Sequence, residues 1–191
     1  MSSRKGSIRD VLRARGEEAE SARRAIHEAW QHRDEGPEAR QRWIDSIAKF
    51  RAAVDHAWPP GFWDAFERLP TGDPAAIESA TLFLEADPWF YRSGYVKAEL
   101  IRRLKRLPLS SEIEERLRAV VLDVARGRDR REYRAYCRLA RKVASPELHA
   151  QMETLVAAGD PAVRRRARWM LAAIGEPGLA RTPPRQRRAR R

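Results

Sequence analysis

Apolar residues recur at intervals of three and four along most of this chain. Two clear runs are Trp43, Ile44, Ile47, Phe50, Val54 and Ala57, and Ile113, Leu117, Val120 and Val124. This spacing places the apolar side chains on one side of an α-helix. No stretch shows the sustained alternation, rich in β-branched residues, that is typical of a strand. The pattern therefore predicts an all-α protein.

Four dipeptides predict where helices begin. Each is an Asp or Ser followed by proline, at positions 73–74, 87–88, 145–146 and 160–161. The Asp or Ser side chain accepts a hydrogen bond from a free backbone N–H of the first turn. Proline suits the first helical position, because the N–H that it lacks would have no partner there. Ser111 with Glu114 adds a capping-box candidate.

The predicted helices cover most of the chain up to residue 174. Their approximate bounds are 7–33 (interrupted near Gly16), 37–57, 60–69, 74–85, 88–106, 111–126, 129–143, 146–158 and 161–174. Short loops between helices of this length favour antiparallel neighbours. The predicted organisation has four parts: a disordered N-terminus (1–6), N-terminal helices (7–69), helical repeats (70–175) and a disordered Arg-rich tail (176–191).

The last predicted helix resembles the second helix of a HEAT or HEAT-like repeat. The residues that carry the resemblance are Asp160, Pro161, Ala162, Val163 and Arg164, followed by Ala167, Leu171, Ile174 and Gly175. The similarity is best over 160–175 and weaker over 73–158. It implies a short right-handed α-solenoid of antiparallel helical hairpins. The N-terminal helices do not share the similarity, and we expect them to pack on the solenoid. The resemblance also implies that the helix-starting Asp and the Arg after the valine bridge neighbouring repeats, while Val163 and Leu171 face the core.

Charge and cysteine content bear on the possible partners and on the cellular compartment. The formal net charge is +12, and half of it lies in residues 181–191, which hold six arginines and no acid. Arginine and alanine are both abundant, as a GC-rich genome would produce, so the arginines alone are weak support for phosphate binding. The single cysteine, Cys137, excludes an internal disulfide and fits a reducing compartment. No apolar run of 18 residues occurs, so we expect a cytoplasmic protein with no membrane partner.

Candidate catalytic chemistry is absent from the sequence. The four histidines include no i, i+4 pair and no HExxH motif, and there is no glycine-rich phosphate loop. Asp73, Asp87 and Asp160 are explained by helix capping, and Cys137 by burial as a small apolar residue. We therefore predict no catalytic residue, no metal and no cofactor, and the balance is against an enzyme.

Exposed aromatic and basic residues form the candidate partner-binding surface. In the stretch DPWFYR, three consecutive aromatic residues enter one turn, so at least one should be exposed. Trp169 points away from the apolar stripe of its helix. Either another helix or the tail covers it, or it forms a cation–π pair with Arg165. The surface comprises Trp89, Tyr91, Arg92, Tyr133, Arg134, Arg164, Arg165, Arg168 and Trp169.

Two functions remain open at the level of sequence. We favour a non-enzymatic repeat scaffold that binds another protein, because HEAT-like solenoids serve mainly as binding surfaces. The alternative is a nucleic-acid-binding protein. A family of alkylpurine DNA glycosylases is built from such repeats, but no catalytic Asp aligns here. Nonspecific binding is expected to be dominated by the tail arginines Arg181, Arg185, Arg187, Arg188, Arg190 and Arg191.

Overall fold

Residues 7–157 and 159–175 are described by a computed structural model. Their helices are α1 Ile8–Gln31, α2 Pro37–Ala57, α3 Phe62–Arg68, α4 Pro74–Ala86, α5 Ser93–Leu104, α6 Ser111–Arg126, α7 Tyr133–Lys142, α8 Pro146–Ala157 and α9 Pro161–Ile174. A 3₁₀ turn, Leu69–Thr71, follows α3. No strand occurs within these ranges, which confirms the all-α prediction. The predicted disordered segments 1–6 and 176–191 lie outside the described residues.

Three of the Asp/Ser-Pro signals begin helices as predicted. Asp73 Oδ1 accepts a hydrogen bond from Ala76 N at 2.8 Å at the start of α4. Ser145 Oγ accepts one from Leu148 N at 3.1 Å at the start of α8. Asp160 caps α9 in the same way. Satisfied backbone donors thus fix three of the helix starts.

The cap of α6 differs by one residue from the prediction. Ser110, not Ser111, accepts the hydrogen bond from Ile113 N, at 3.3 Å. The pair that was expected to form a capping box therefore lies inside the first turn of the helix.

The fourth signal, Asp87-Pro88, does not begin a helix, and the prediction there is wrong. Asp87 ends α4 in the left-handed region at φ 46°, and α5 begins only at Ser93. Similarly, α7 begins at Tyr133 rather than at 129. In both places the aspartate forms tertiary ion pairs instead of a cap, so the following residues stay extended or turned.

The helices from α4 onward contact one another in two rows. One row runs through α4, α6 and α8, and the other through α5, α7 and α9. Between the rows, α6 also packs on α7 and α9, and α8 packs on α9. At the N-terminal side α1 packs along α2 and against α4, so the N-terminal helices contact the first row.

A continuous apolar core links α3 with the last helix. Its largest fully buried side chains include Phe62, Phe83, Leu100 and Tyr136. The ring of Trp58 lies 5.5 Å from that of Phe83 and 5.1 Å from that of Phe62. The aromatic cluster thereby joins α3 and the end of α2 to α4.

Gly16 permits the close contact between α1 and the segment after α4. Helix α1 is continuous, so the predicted interruption near Gly16 does not occur. A Cβ atom at this position would lie 3.2 Å from both Pro88 Cβ and the backbone N of Trp89. The missing side chain therefore serves packing and does not break the helix, because tertiary contact outweighs the low helix propensity of glycine.

Within the described ranges, no helix combines the length and the apolar character needed to cross a bilayer.

Candidate functional site

The segments that lead into α5, α7 and α9 meet at one edge of the protein. Asp87, in the segment between α4 and α5, contacts Arg130, in the segment between α6 and α7. Asp129, one residue earlier in that second segment, contacts Arg165 in α9. We call this surface the N-terminal edge and define it as residues 87–95, 127–134 and 160–169. Two chain-distant ion pairs therefore bring the three segments together.

A buried ionic cluster fixes the first two of these segments. Asp87 Oδ1 accepts hydrogen bonds from Lys97 Nζ at 2.6 Å and from Arg130 Nη1 at 2.9 Å. The Lys97 side chain has no exposed surface, and burial lowers its pKa while Asp87 opposes that effect. The Tyr136 hydroxyl lies in the same region, and burial raises its pKa. Such a cluster holds its members in one geometry, because an unpaired charge there would be costly.

The segment between α6 and α7 is joined to α9 by a second aspartate, Asp129. Asp129 accepts hydrogen bonds from Arg165 Nη2 at 2.7 Å and from Arg166 Nη1 at 2.8 Å. Hydrogen bonds from these two guanidinium groups, first that of Arg166, lower the pKa of Asp129. Arg166 Nε donates to the carbonyl of Ala125 at 3.0 Å, and the Tyr133 hydroxyl donates to the carbonyl of Arg166 at 2.7 Å. Residues 125–133 are thus tied to the last helix.

These bridges use different arginines from those that the HEAT resemblance implies. Arg165 and Arg166 form the bridge, whereas Arg164, the residue after Val163, makes no ion pair to a described residue. Asp160 caps its own helix. The bridging acids are therefore Asp87 and Asp129, each located before a helix rather than at its N-cap.

Exposed aromatic rings line the N-terminal edge, and each has an arginine beside it. Arg128 Cζ lies 4.3 Å from the ring centre of Trp89, and Arg165 Cζ lies 5.5 Å from that of Trp169. Trp89 is 49% exposed and Trp169 53%. These geometries fall within the range of cation–π contacts. The pair of Trp169 with Arg165, the second of the two alternatives, is present, and the described helices leave Trp169 half exposed; the tail of the first alternative lies outside the described residues.

Two tyrosines extend this pattern. Arg92 Cζ lies 5.6 Å from the ring centre of Tyr91, and Arg131 Nη1 donates to the hydroxyl of Tyr95 at 3.2 Å. Both rings are at least half exposed. Of the three consecutive aromatic residues in DPWFYR, Phe90 is buried, whereas Trp89 and Tyr91 are exposed. The prediction that at least one of the three is exposed is therefore confirmed.

Most of the predicted surface residues lie on this edge. The exposed ones are Trp89, Tyr91, Arg92, Arg134, Arg165, Arg168 and Trp169, and Arg164 is partly exposed. Tyr133 is the exception: it is only 6% exposed, and its hydroxyl is used inside the protein.

Three residues of the edge were missed by the sequence analysis. They are Tyr95, Arg128 and Arg131. The helix predicted to begin at 129 put Arg131 into regular helix and left Arg128 outside it, and the signal that could have found both is the run RGRDRRE, which is too polar and too rich in glycine and charge for a helix interior. Tyr95 lies in a helix as predicted, and no local signal marked it as part of this edge.

Charge is separated between the two rows of helices. Helices α5, α7 and α9 together contain eleven Lys and Arg residues and one acid, a formal net charge of +10. Helices α4, α6 and α8 contain three basic and eight acidic residues, a net charge of −5. A uniform excess of arginine from genome composition would not produce this separation. Lys97 and Arg166 in this sum are buried and ion-paired, and the remaining excess of basic residues on the second row favours contact with anions.

Metal ligands and the Cys137 thiol are the other groups that could carry chemistry. The described part of the chain contains no cluster of His, Cys, Asp and Glu side chains suited to a metal ion. Cys137 is half-buried, and burial raises the pKa of its thiol, which disfavours the nucleophilic thiolate. The arrangement is suited to binding through charge and aromatic surface.

No family model, no curated protein and no solved structure matches this chain.

Proposed function

We propose that the protein binds single-stranded nucleic acid along the row of α5, α7 and α9, with bases stacked at the N-terminal edge. The observation that carries this proposal is the charge separation between the two helix rows, with the exposed Trp89 and Trp169 at the N-terminal edge of the positive one. Nonspecific binders of single strands combine a positive surface that follows the phosphates with aromatic rings on which bases stack.

The aromatic residues are held in place before any ligand arrives. Trp89 lies between Pro88 and Phe90, both buried, and its backbone packs against Gly16. Asp87, two residues earlier, is fixed by Lys97 and Arg130. A ring on a fixed backbone loses less conformational freedom on binding, which favours affinity.

Charge neutralisation adds a second contribution that does not depend on sequence. Arg134 and Arg168 are exposed on the second row and make no ion pair to a described residue. Arg128 lies beside Trp89, so a phosphate and a stacked base could be contacted within one nucleotide. Each neutralised phosphate releases counterions, so affinity should fall as salt rises.

We also infer that α4 to α9 form a short right-handed α-solenoid of three antiparallel hairpins. Its support is the pattern of contacts, in which first helices contact first helices and second helices contact second helices. The chain-distant bridges from Asp87 to Arg130 and from Asp129 to Arg166 agree with this stacking. Repeat proteins of this type commonly use one face for binding.

A protein partner, which the sequence favours, is the competing outcome. It would need a strongly acidic surface to match the second row, and part of its affinity would come from the exposed tryptophans. The aromatic–arginine pairs fit nucleic acid better, because every base offers a flat face to stack on. No reaction is proposed at this surface.

Fluorescence anisotropy with a labelled 20-nucleotide single strand and the matching duplex tests the proposal. The full chain is compared with a Trp89→Ala/Trp169→Ala double variant and with a Trp30→Ala control. Trp30 is similarly exposed and also has an arginine, Arg33, over its ring, but it lies at the end of α1. Since stacking contributes about 1–3 kcal/mol per base, the double variant should bind the single strand at least about tenfold more weakly.

The binding of the single strand and the duplex by these variants decides whether bases stack at the N-terminal edge. Tighter binding to single strand than to duplex, lost in the double variant and kept in the Trp30 control, supports the proposal. Equal losses in both variants, or binding to the single strand that is unchanged in the double variant, would rule out stacking at this edge. Absence of binding at low salt would remove nucleic acid as the partner.

A further inference from the structure

A second basic site lies at the opposite ends of α5 and α7. Lys105, Arg138, Arg141 and Lys142 line a pocket of about 290 Å³ there. The ten residues of α7 span about 15 Å. Arg141 and Lys142 therefore lie at the far end of α7 from the N-terminal edge, about 12 Å or more along the helix axis from Tyr133, and Arg138 lies midway between.

The side chains that line this pocket are all cationic. Lys105, Arg138 and Arg141 form no ion pair to any residue in the described ranges. Burial lowers the pKa of Lys105, and the nearby positive charges of Arg138 and Arg141 lower it further. Like charges this close destabilise one another, so the folded protein carries an unfavourable electrostatic interaction here.

One side of the pocket is held by a hydrogen bond. Lys142 Nζ donates to the carbonyl of Leu107 at 2.9 Å, which ties the end of α7 to the segment after α5. The position of Lys142 therefore has a structural explanation.

Helix dipoles account for only part of this cluster. The carboxyl ends of α5 and α7 carry a partial negative charge that favours cations in or beside the last turn. Lys105 and Arg141 are placed to benefit, whereas Arg138 lies before the last turn of α7. A dipole contributes about 0.3–1 kcal/mol per cation at an exposed site, which does not explain why the cations converge on one cavity.

We infer that this pocket binds a ligand with several phosphate oxygens. Guanidinium groups match phosphate with two parallel N–H donors, and lysine adds a mobile point charge. The volume is at the small end of the range for small-molecule sites, and no aromatic side chain lines it for a base to stack on. The ligand chemistry is thus an oligophosphate group, either free or at the phosphorylated end of a nucleic-acid strand. This inference does not rest on the proposed binding at the N-terminal edge.

Isothermal titration calorimetry and thermal melts with sodium tripolyphosphate, at constant ionic strength, test this pocket in the full chain. The variant is Arg138→Ala/Arg141→Ala, and the control is Arg40→Ala/Arg42→Ala, which removes two exposed arginines of α2. Loss of two charge-assisted hydrogen bonds should weaken tripolyphosphate binding by about tenfold or more. The control should bind like the unaltered protein.

A second readout separates loss of the site from loss of the fold. Because the cations repel one another, the pocket variant without ligand should melt at the same temperature as the unaltered protein or higher. The inference would be overturned if the pocket variant bound tripolyphosphate as tightly as the Arg40→Ala/Arg42→Ala control, or if the unaltered protein did not bind it. A 5′-triphosphorylated oligonucleotide that displaces tripolyphosphate, when the same strand with a 5′-hydroxyl does not, would identify a strand end as the source. No displacement by either would identify a free oligophosphate.

Discussion

Asp87 and Arg130 meet across two helical hairpins although 43 residues separate them in the chain. Arg130 Nη1 lies 2.9 and 3.0 Å from the two carboxylate oxygens of Asp87, and Lys97 Nζ reaches one of the same oxygens at 2.6 Å. One carboxylate therefore offsets two nearly buried cations. The position of the N-terminal edge depends on this acid.

Asp87→Ala should strongly destabilise the protein. It would leave Lys97 and Arg130 without their shared counter-charge, and removing one partner of a buried ion pair costs about 3–5 kcal/mol. We expect a loss of about 3 kcal/mol in the free energy of unfolding, since Asp87 itself is partly exposed. Urea denaturation measures it.

The matched control for this prediction is Asp123→Ala. Asp123 is an exposed acid of α6 whose contact with Arg126 is long, at 3.8 Å. Exposed pairs of this kind contribute little, so its stability should change by less than about 1 kcal/mol. A similarly small change for Asp87→Ala would mean that the buried cluster does not hold the two hairpins together.

Stability should fall in acid through a window set partly by Glu99. Hydrogen bonds from Arg102 and then Arg103 lower the pKa of Glu99 from 4.5 to about 2. Between these values the unfolded chain takes up a proton that the folded protein does not, so stability is lost as pH falls from 4.5 toward 2. Glu99→Gln should flatten this part of the curve of melting temperature against pH.

Glu67→Gln provides the comparison, because Glu67 is an exposed acid of α3 with no ion pair among the described residues. It should leave the slope of melting temperature between pH 5 and pH 2 as it is in the unaltered protein. A Glu99→Gln curve parallel to both would contradict the role assigned to the Glu99 ion pairs.

Asp160→Ala should cost about 1 kcal/mol of stability, the usual value for an N-cap. Asp160 Oδ1 accepts hydrogen bonds from Ala162 N at 2.7 Å and from Val163 N at 3.3 Å. Serine can accept the same bonds, so Asp160→Ser should recover most of the loss in a chemical denaturation experiment. Equal stability of the alanine and serine variants would show that the cap has no measurable effect.

The basic row and the tail should affect nucleic-acid binding differently. Replacing Arg128, Arg134 and Arg168 by alanine should reduce the preference for single strand over duplex and lower the salt slope by about 2, at roughly 0.7 per phosphate. Deleting 181–191, whose structure lies outside the described residues, should weaken binding to both forms alike. Anisotropy titrations at two salt concentrations measure both effects.

Replacement of Arg40, Arg42 and Arg51 on α2 removes the same charge from another surface, since all three are exposed. It should keep the preference for single strand. If only the tail deletion has an effect, the tail-dominated binding expected from sequence is the better description, and the basic row has another partner.

Local sequence was sufficient for most of the helices. The bounds 37–57, 111–126 and 161–174 agree with α2, α6 and α9, because apolar periodicity and capping act over only a few residues. The exposure of Trp169 opposite the apolar stripe of α9 also follows from helical geometry. These features need no knowledge of the tertiary structure.

What the sequence by itself determined was therefore the all-α class, most helix bounds and the direction of several exposed side chains. Only the tertiary structure decided that Asp87 and Asp129 bridge hairpins, that Tyr133 is buried and that basic residues collect on one row of helices. An Asp-Pro pair is compatible with either a cap or a turn. The choice depends on whether a distant cation such as Arg130 lies within reach, because an ion pair that shields a buried charge outweighs a local capping bond of about 1 kcal/mol.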